Sequence, residues 1–187
     1  EEFSKNGYDQ ASANTICKQY GISKGVIYHY FKDKDELYVI CVQICFEQLT
    51  EYMKKVSEDL SGSPEQKLQH YFDARLHYFA DHQMVLGIFA GAVFTPPGHL
   101  LKEISEQRCE FDELNASVLT DLLKNQPLRK GLTVKETVQD FEMYMEYFNL
   151  HFKEGIKQNQ SLETLLAEHE ERCHRQLNIM LYGVIEK

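Results

Sequence analysis

Residues 11–37 read ASANTICKQYGISKGVIYHYFKDKDEL, and the caps, breaks and apolar spacings in this stretch decide the fold. Ser12 caps a short helix from Ala13 to about Tyr20, whose inward side is expected to be Ile16 and Tyr20, with Cys17 beside them. Gly21-Ile22 is a tight break in which Gly21 can adopt a positive φ. Ser23 then caps a second short helix, Lys24 to Phe31. Its residues Ile27 and Phe31 are four apart with Tyr30 beside them, and all three are expected in the core. Two helices of about eight residues, joined by a short turn containing glycine, are a helix-turn-helix.

Upstream of this unit, Phe3 to Gly7 looks like the last turn of a helix that starts before Glu1, with Gly7 as its stop. Downstream, Asp35 and Glu36 stand where carboxylates favour a helix start. Leu37, Ile40, Cys41, Ile44, Leu49, Met53, Val56 and Leu60 then keep one face apolar over 35–61, a rod of about 40 Å. Ser63-Pro64-Glu65 opens a further helix through Leu68, Phe72, Leu76 and Phe79, ending near Asp81. Met84 to Phe94 is apolar all round and so marks a buried helix. The clearest break in the chain is Thr95-Pro96-Pro97-Gly98. Another helix runs from Leu100 to about Asn125, and Gln126 to Leu132 is a loop. Thr133 with Glu136 makes a capping box for helix 133–158, and Ser161 caps the last helix. Every segment reads as helix. The expectation is an all-α fold, with an N-terminal helix-turn-helix domain at 1–34 (the start of its first helix missing) and a larger helical domain at 35–187.

Apolar residues make up 43% of the 187 and charged residues 26%, which excludes a disordered acidic tail or a fibrous repeat. A chain of this length can bury about 70% of its surface, enough for a core without disulfide or metal staples. The five cysteines, an odd number at unpatterned spacing, read as reduced thiols. With no secretory leader and no apolar run beyond about half a bilayer span, a cytoplasmic protein without membrane contact is expected. Net charge is −9, yet it is unevenly spread. Lys18, Lys24, Lys32 and Lys34 face one acid, Asp33, within 18–34, while the rest of the chain carries 16 basic and 28 acidic side chains. A short positive segment on an acidic body suggests one anionic partner met at one place.

The second short helix has the chemistry for that partner to be duplex DNA. Lys24 at its start favours a phosphate, and Gly25 lets the backbone approach base edges closely. Val26 presents methyls suited to a thymine methyl in the major groove. Tyr28 and His29 can donate to phosphates, and Lys34 adds charge at the start of the long helix. Ser12 and Ser23 act as caps, with Ser12 also within reach of a duplex backbone. The series Phe3-x-x-x-Gly7-Tyr8, Ala11-Ser12-x-x-x-Ile16 and Gly21-Ile22-Ser23-Lys24-Gly25-x-Ile27-Tyr28-His29-Tyr30-Phe31-x-x-Lys34-x-x-Leu37 resembles the DNA-binding domain of the tetracycline-repressor (TetR-type) family. The resemblance spans about 35 residues, and beyond residue 60 it is architectural only. Val26 stands where that family commonly has a polar residue. The resemblance implies phosphate and base contacts from these positions, and an inducer site in the diverged body.

In the body, Phe89, Phe94, Phe111, Phe141, Tyr144, Tyr147, Phe148 and His151 are the candidates for an apolar effector pocket with a few polar groups. Helix 133–158 carries apolar residues on two faces, so one face meets its own core and the other a second subunit. Phe152, Ile156, Leu166, Cys173, Leu177 and Met180 are the candidate dimer residues. Gly21-Ile22-Ser23-Lys24-Gly25 matches the pattern of a hydrolase nucleophile elbow, but a polar helix precedes it where the elbow needs a buried strand. Glu171-x-x-His174 is half of a di-iron ligand set without its second half, and Cys41 with Cys45 reads as a pair of buried thiols. No catalytic group, metal or cofactor is implied. The expected function is a ligand-responsive transcriptional regulator, a repressor, binding double-stranded operator DNA as a homodimer and released by a small apolar or aromatic effector. The alternatives are a helical small-molecule-binding protein or enzyme with a vestigial reader, and a constitutive DNA-binding protein.

Overall fold

Side-chain caps set the starts of four of the first five helices. α1 (Glu2–Gln10) is interrupted at Gly7, whose φ of 67° and ψ of 179° only glycine adopts readily. α2 (Ala13–Tyr20) starts where Ser12 Oγ accepts from the Asn14 N–H at 3.2 Å. It stops at Gly21, left-handed at φ 63°. α3 (Lys24–Tyr30) starts where Ser23 Oγ accepts from the Val26 N–H at 3.3 Å. α4 (Lys34–Glu58) is capped by Asp33, which accepts from the Glu36 N–H at 2.9 Å, and its 25 residues make a rod of about 37 Å. α5 (Pro64–Asp81) opens with a capping box between Ser63 and Gln66. α6 (Gln83–Val93) ends before the proline break, a single 3-10 turn covers Gly98–Leu100, and α7 (Leu101–Leu123) follows. α8 (Val134–Ile156), capped by Thr133, and α9 (Leu162–Val184) complete the chain.

This computed structural model describes residues 1–156 and 162–185, with the side chains of 148–156, 162, 163, 166, 170, 177 and 184 excepted. Every regular element among the described residues is a helix, and one isolated antiparallel bridge joins Leu128 to Ile185. No single described helix is long and apolar enough to cross a membrane. The expected Ser161 cap lies outside the described residues.

α4 is the central rod. It runs along α7, is crossed by α6 and α5, and forms the middle of one continuous apolar core. Its buried row is Tyr38, Val42, Cys45 with Phe46 beside it, Leu49 and Met53, stepping three or four residues at a time. The expected row through Leu37, Ile40 and Ile44 is corrected by this phase, since Ile44 is 47% exposed. Burying the two large rings of Tyr38 and Phe46 removes more apolar area from water than burying Ile44 would. Two further core expectations are corrected in the small helices. Cys17 takes the inward position of α2 while Tyr20 is 57% exposed, its hydroxyl donating to Glu1 Oε2 at 3.2 Å. In α3 only Ile27 is buried, and Tyr30 is 73% exposed. Helices of seven and eight residues have too little surface to bury a second row.

The small helices join the body through α1. Gly87 of α6 lies against Ser4 so closely that a Cβ would fall 2.3 Å from the Ser4 carbonyl oxygen. One turn on, a Cβ at Gly91 would sit 3.1 Å from Tyr38 Oη of α4. The Gly87-x-x-x-Gly91 spacing thus lets α1 and α4 approach one side of α6.

Candidate nucleic-acid interface and ligand cavity

Ser23, Lys24, Gly25, Val26, Tyr28 and His29 are all exposed, so α3 presents nearly its whole circumference to solvent. Ile27 anchors it from beneath. Gly25 is instructive because the fold does not require it. Its φ is not positive, and an added Cβ would meet only Ser23 Oγ, at an ordinary 3.6 Å. A glycine inside a helix costs about 0.5–1 kcal/mol against alanine, and here nothing within the chain recovers it. Ser12 is half-buried, its N–H donating to Glu2 Oε1 at 3.1 Å. Lys34 is half-buried too. Its Nζ donates to the Asp9 carbonyl at 3.3 Å and stands 4.4 Å from the Tyr8 ring centre, tying α4 to α1.

The body encloses a cavity of about 270 Å³. Phe46 of α4, Leu68 and Phe72 of α5, Phe89 and Val93 of α6, and Phe111 and Leu119 of α7 supply apolar walls, with Phe94 just beyond α6. Of the expected pocket residues, Phe89, Phe94 and Phe111 line it. Phe141 is fully buried without lining it, Tyr144 and Tyr147 are exposed on α8, and the Phe148 and His151 side chains lie outside those described. Of the expected dimer residues, Met180 is half-buried and Cys173 is fully buried within the chain, its Sγ 3.6 Å from His169 Nε2. Phe152, Ile156, Leu166 and Leu177 have side chains outside those described. Among the described side chains of the last two helices, the large exposed apolar ones are Met143, Tyr144 and Tyr147 on α8, with Ile179 and Tyr182 on α9.

Polar groups break the apolar wall at four places. Arg108 bridges two carboxylates, with Nε 2.9 Å from Asp112 Oδ2 and Nη2 3.0 Å from Glu146 Oε1. Burial raises the Asp112 carboxyl above its ordinary range despite the guanidinium beside it. Tyr71 Oη donates to Asn115 Oδ1 at 2.8 Å, and burial pushes its hydroxyl up to about 12. Arg75, buried, lays its guanidinium over the Phe72 ring at 4.9 Å. His169 faces the cavity edge-on to Phe94, ring centres 5.5 Å apart, and burial first, then Arg75 and Arg172, push its imidazole down to about 4. It is neutral at physiological pH. Sequence reasoning missed this polar set. Two members left a signal: Arg75, a charge three residues after Phe72, and His169, which falls on the apolar stripe of the last helix between Leu166 and Cys173.

A helix-turn-helix with an exposed second helix, carried on a helical body around a cavity, is an arrangement suited to meeting duplex DNA at one end and a small molecule at the other. Residues 1–39 match the family model of bacterial regulatory proteins of the tetR family, and over its length the chain has the fold of TetR-type regulators. The fatty acid metabolism regulator protein of Bacillus subtilis is 24% identical over 138 residues, 72% of this chain and 69% of that protein. The HTH-type transcriptional regulator YerO of the same organism is 28% identical over 102 residues, 54% of this chain but 35% of YerO. The chain therefore spans about one third to two thirds of the length of these relatives. Among solved structures, FadR from Bacillus subtilis in complex with stearoyl-CoA superimposes with a TM-score of 0.66 at 20% identity, covering 92% of this chain and 91% of that one. FadR from Bacillus halodurans does so with a TM-score of 0.65 at 16% identity, covering 92% of each. At these identities the likeness is one of fold.

Proposed function

We propose that the chain is a cytoplasmic, non-enzymatic repressor whose homodimer holds a near-palindromic operator and releases it when an effector fills the cavity. Residues 1–34 act as the reader and 35–187 as the effector-binding and dimerisation domain. The observation that carries this reading is α3. Seven residues bury one side chain, expose lysine, valine, tyrosine and histidine, and include a glycine the fold does not need. Ser12, Ser23, Lys24, Gly25, Val26, Tyr28, His29 and Lys34 are its DNA-binding set. The exposed Met143, Tyr144, Tyr147, Ile179 and Tyr182 support a subunit face on α8 and α9. Two readers then meet successive major grooves about 34–36 Å apart.

Selection of bound fragments from the organism's own genome tests the reading. Recovered fragments should share a near-palindrome, and affinity should fall steeply with salt as phosphate counterions are released. Recovery of no common sequence would overturn it. Gly25→Ala separates fold from function: stability should rise by about 0.5–1 kcal/mol while operator affinity falls. Unchanged affinity would remove Gly25 from the interface.

The effector we infer is an acyl chain with a polar head. The Phe-lined cavity with its polar breaks suits such a molecule, and two similar proteins, a regulator of fatty acid metabolism and a FadR bound to stearoyl-CoA, point the same way. Titration with acyl-CoA thioesters of graded chain length should release DNA. At a hundred times its dissociation constant a fitting thioester should add about 2.7 kcal/mol to stability. No release and no stabilisation at any chain length would refute an acyl effector.

A further inference from the structure

Three segments distant in sequence meet at one polar cluster, none of whose three members belongs to α3 or lines the cavity. Tyr8 belongs to α1, immediately after the Gly7 kink. Asp35 lies in the first turn of α4. His99 lies in the 3-10 turn that follows the proline break. Tyr8 Oη donates to Asp35 Oδ1. His99 Nε2 lies 3.2 Å from Asp35 Oδ2 and 3.3 Å from Tyr8 Oη. The Tyr8 ring is held on its other sides by Lys34 Nζ at 4.4 Å and by Tyr38, ring centres 5.2 Å apart. Burial, then the bond to Asp35, push the Tyr8 hydroxyl up to about 12, so it stays a donor, and the same bond holds Asp35 below its ordinary range.

Stability alone does not account for this cluster. The His99 and Asp35 side chains are 55% and 39% exposed, and pairs that open to water contribute little. Its position is more telling. Phe94 forms part of the cavity wall, and His99 stands five residues further on. The Pro96-Pro97 pair between them has fixed φ angles, which makes the connection stiff.

We propose that Tyr8, Asp35 and His99 are a latch that fixes the reader's orientation on the body, and that the stiff turn from Phe94 to His99 reports the state of the cavity to it. These are positioning residues, touching neither DNA nor effector. The inference rests on the reading of α3 and the cavity as the two working sites. Its test uses neither ligand, so its failure is distinct from the failure of that reading.

Hydrogen exchange on the full chain reads the latch. His99→Ala and Tyr8→Phe should each speed exchange of α2 and α3 amides about three- to tenfold, leaving α5 and α7 amides unchanged. His99→Gln, which keeps a donor for Asp35, should restore slow exchange. Phe94→Leu should also speed reader exchange in the native background and have no added effect in His99→Ala. Unchanged reader exchange in His99→Ala overturns the latch. A Phe94→Leu effect that is absent, or of equal size in both backgrounds, overturns the link to the cavity. Faster exchange throughout the chain in His99→Ala would show a general stability role and overturn the proposal as well.

Discussion

Gly87→Ala should displace the reader from the body. Its new Cβ would lie 2.3 Å from the Ser4 carbonyl oxygen and 2.9 Å from the carbonyl carbon, both backbone atoms of α1. No rotamer change relieves that contact, so α1 must move away from α6. Overpacking of this kind typically costs about 1–3 kcal/mol. For a chain of this size each kcal/mol lowers the melting temperature by roughly 2–4 °C. The loss of operator affinity should exceed what stability explains, because the displaced α1 carries the small helices with it. Gly183→Ala is the control. It is a glycine of α9 with nothing within 4 Å of an added Cβ and no positive φ, so alanine there should be neutral or slightly stabilising. Thermal melts paired with fragment binding decide the matter. Equal behaviour of the two variants would show that the α1–α6 contact does not set the reader's position.

That contact also marks what a linear sequence discloses. The spacing Gly87-x-x-x-Gly91 by itself permits close packing, because small residues four apart clear one side of a helix. The neighbour filling the clearance, Ser4, lies more than eighty residues away and left no local mark. Boundaries were legible for the same local reason. Ser12, Gly21, Ser23 and Ser63 act within three or four residues of themselves, and the helices begin and stop where those residues require. Faces were less so, as Tyr20, Tyr30 and Ile44 show. An apolar side chain at helical spacing is buried only if another element arrives to cover it, and that is decided by the competing claims of Cys17, Ile27, Tyr38 and Phe46. The cavity shows the same split. Its phenylalanines could be anticipated from the apolar α6 and the aromatic-rich body. Its polar groups come from α5, α7, α8 and α9, each ordinary in its own helix, and acquire their chemistry from one another.

His169 turns one of those convergences into a measurable pH dependence. Folded, its imidazole is held at about 4 by burial and by the guanidinium groups of Arg75 on α5 and Arg172 on its own helix. Unfolded, it returns to an ordinary value near 6.5. The native state thus binds the proton less readily than the unfolded state does. Above about pH 6.5 neither form is protonated at this site and nothing is lost. As pH falls from there towards 4 the unfolded chain takes up the proton first, and stability declines by about 1.4 kcal/mol per pH unit. The full loss from this one group approaches about 3 kcal/mol by pH 4. His169→Phe should abolish that part of the slope, since it cannot take up a proton and its ring can still meet Phe94 at the cavity edge. Denaturant melts of both proteins between pH 4 and 7.5 provide the comparison. The difference in stability between them should change across this interval and level off above pH 7; parallel curves would mean that His169 titrates alike in the folded and unfolded chains, and the neutral imidazole assigned to the cavity wall would have to be given up.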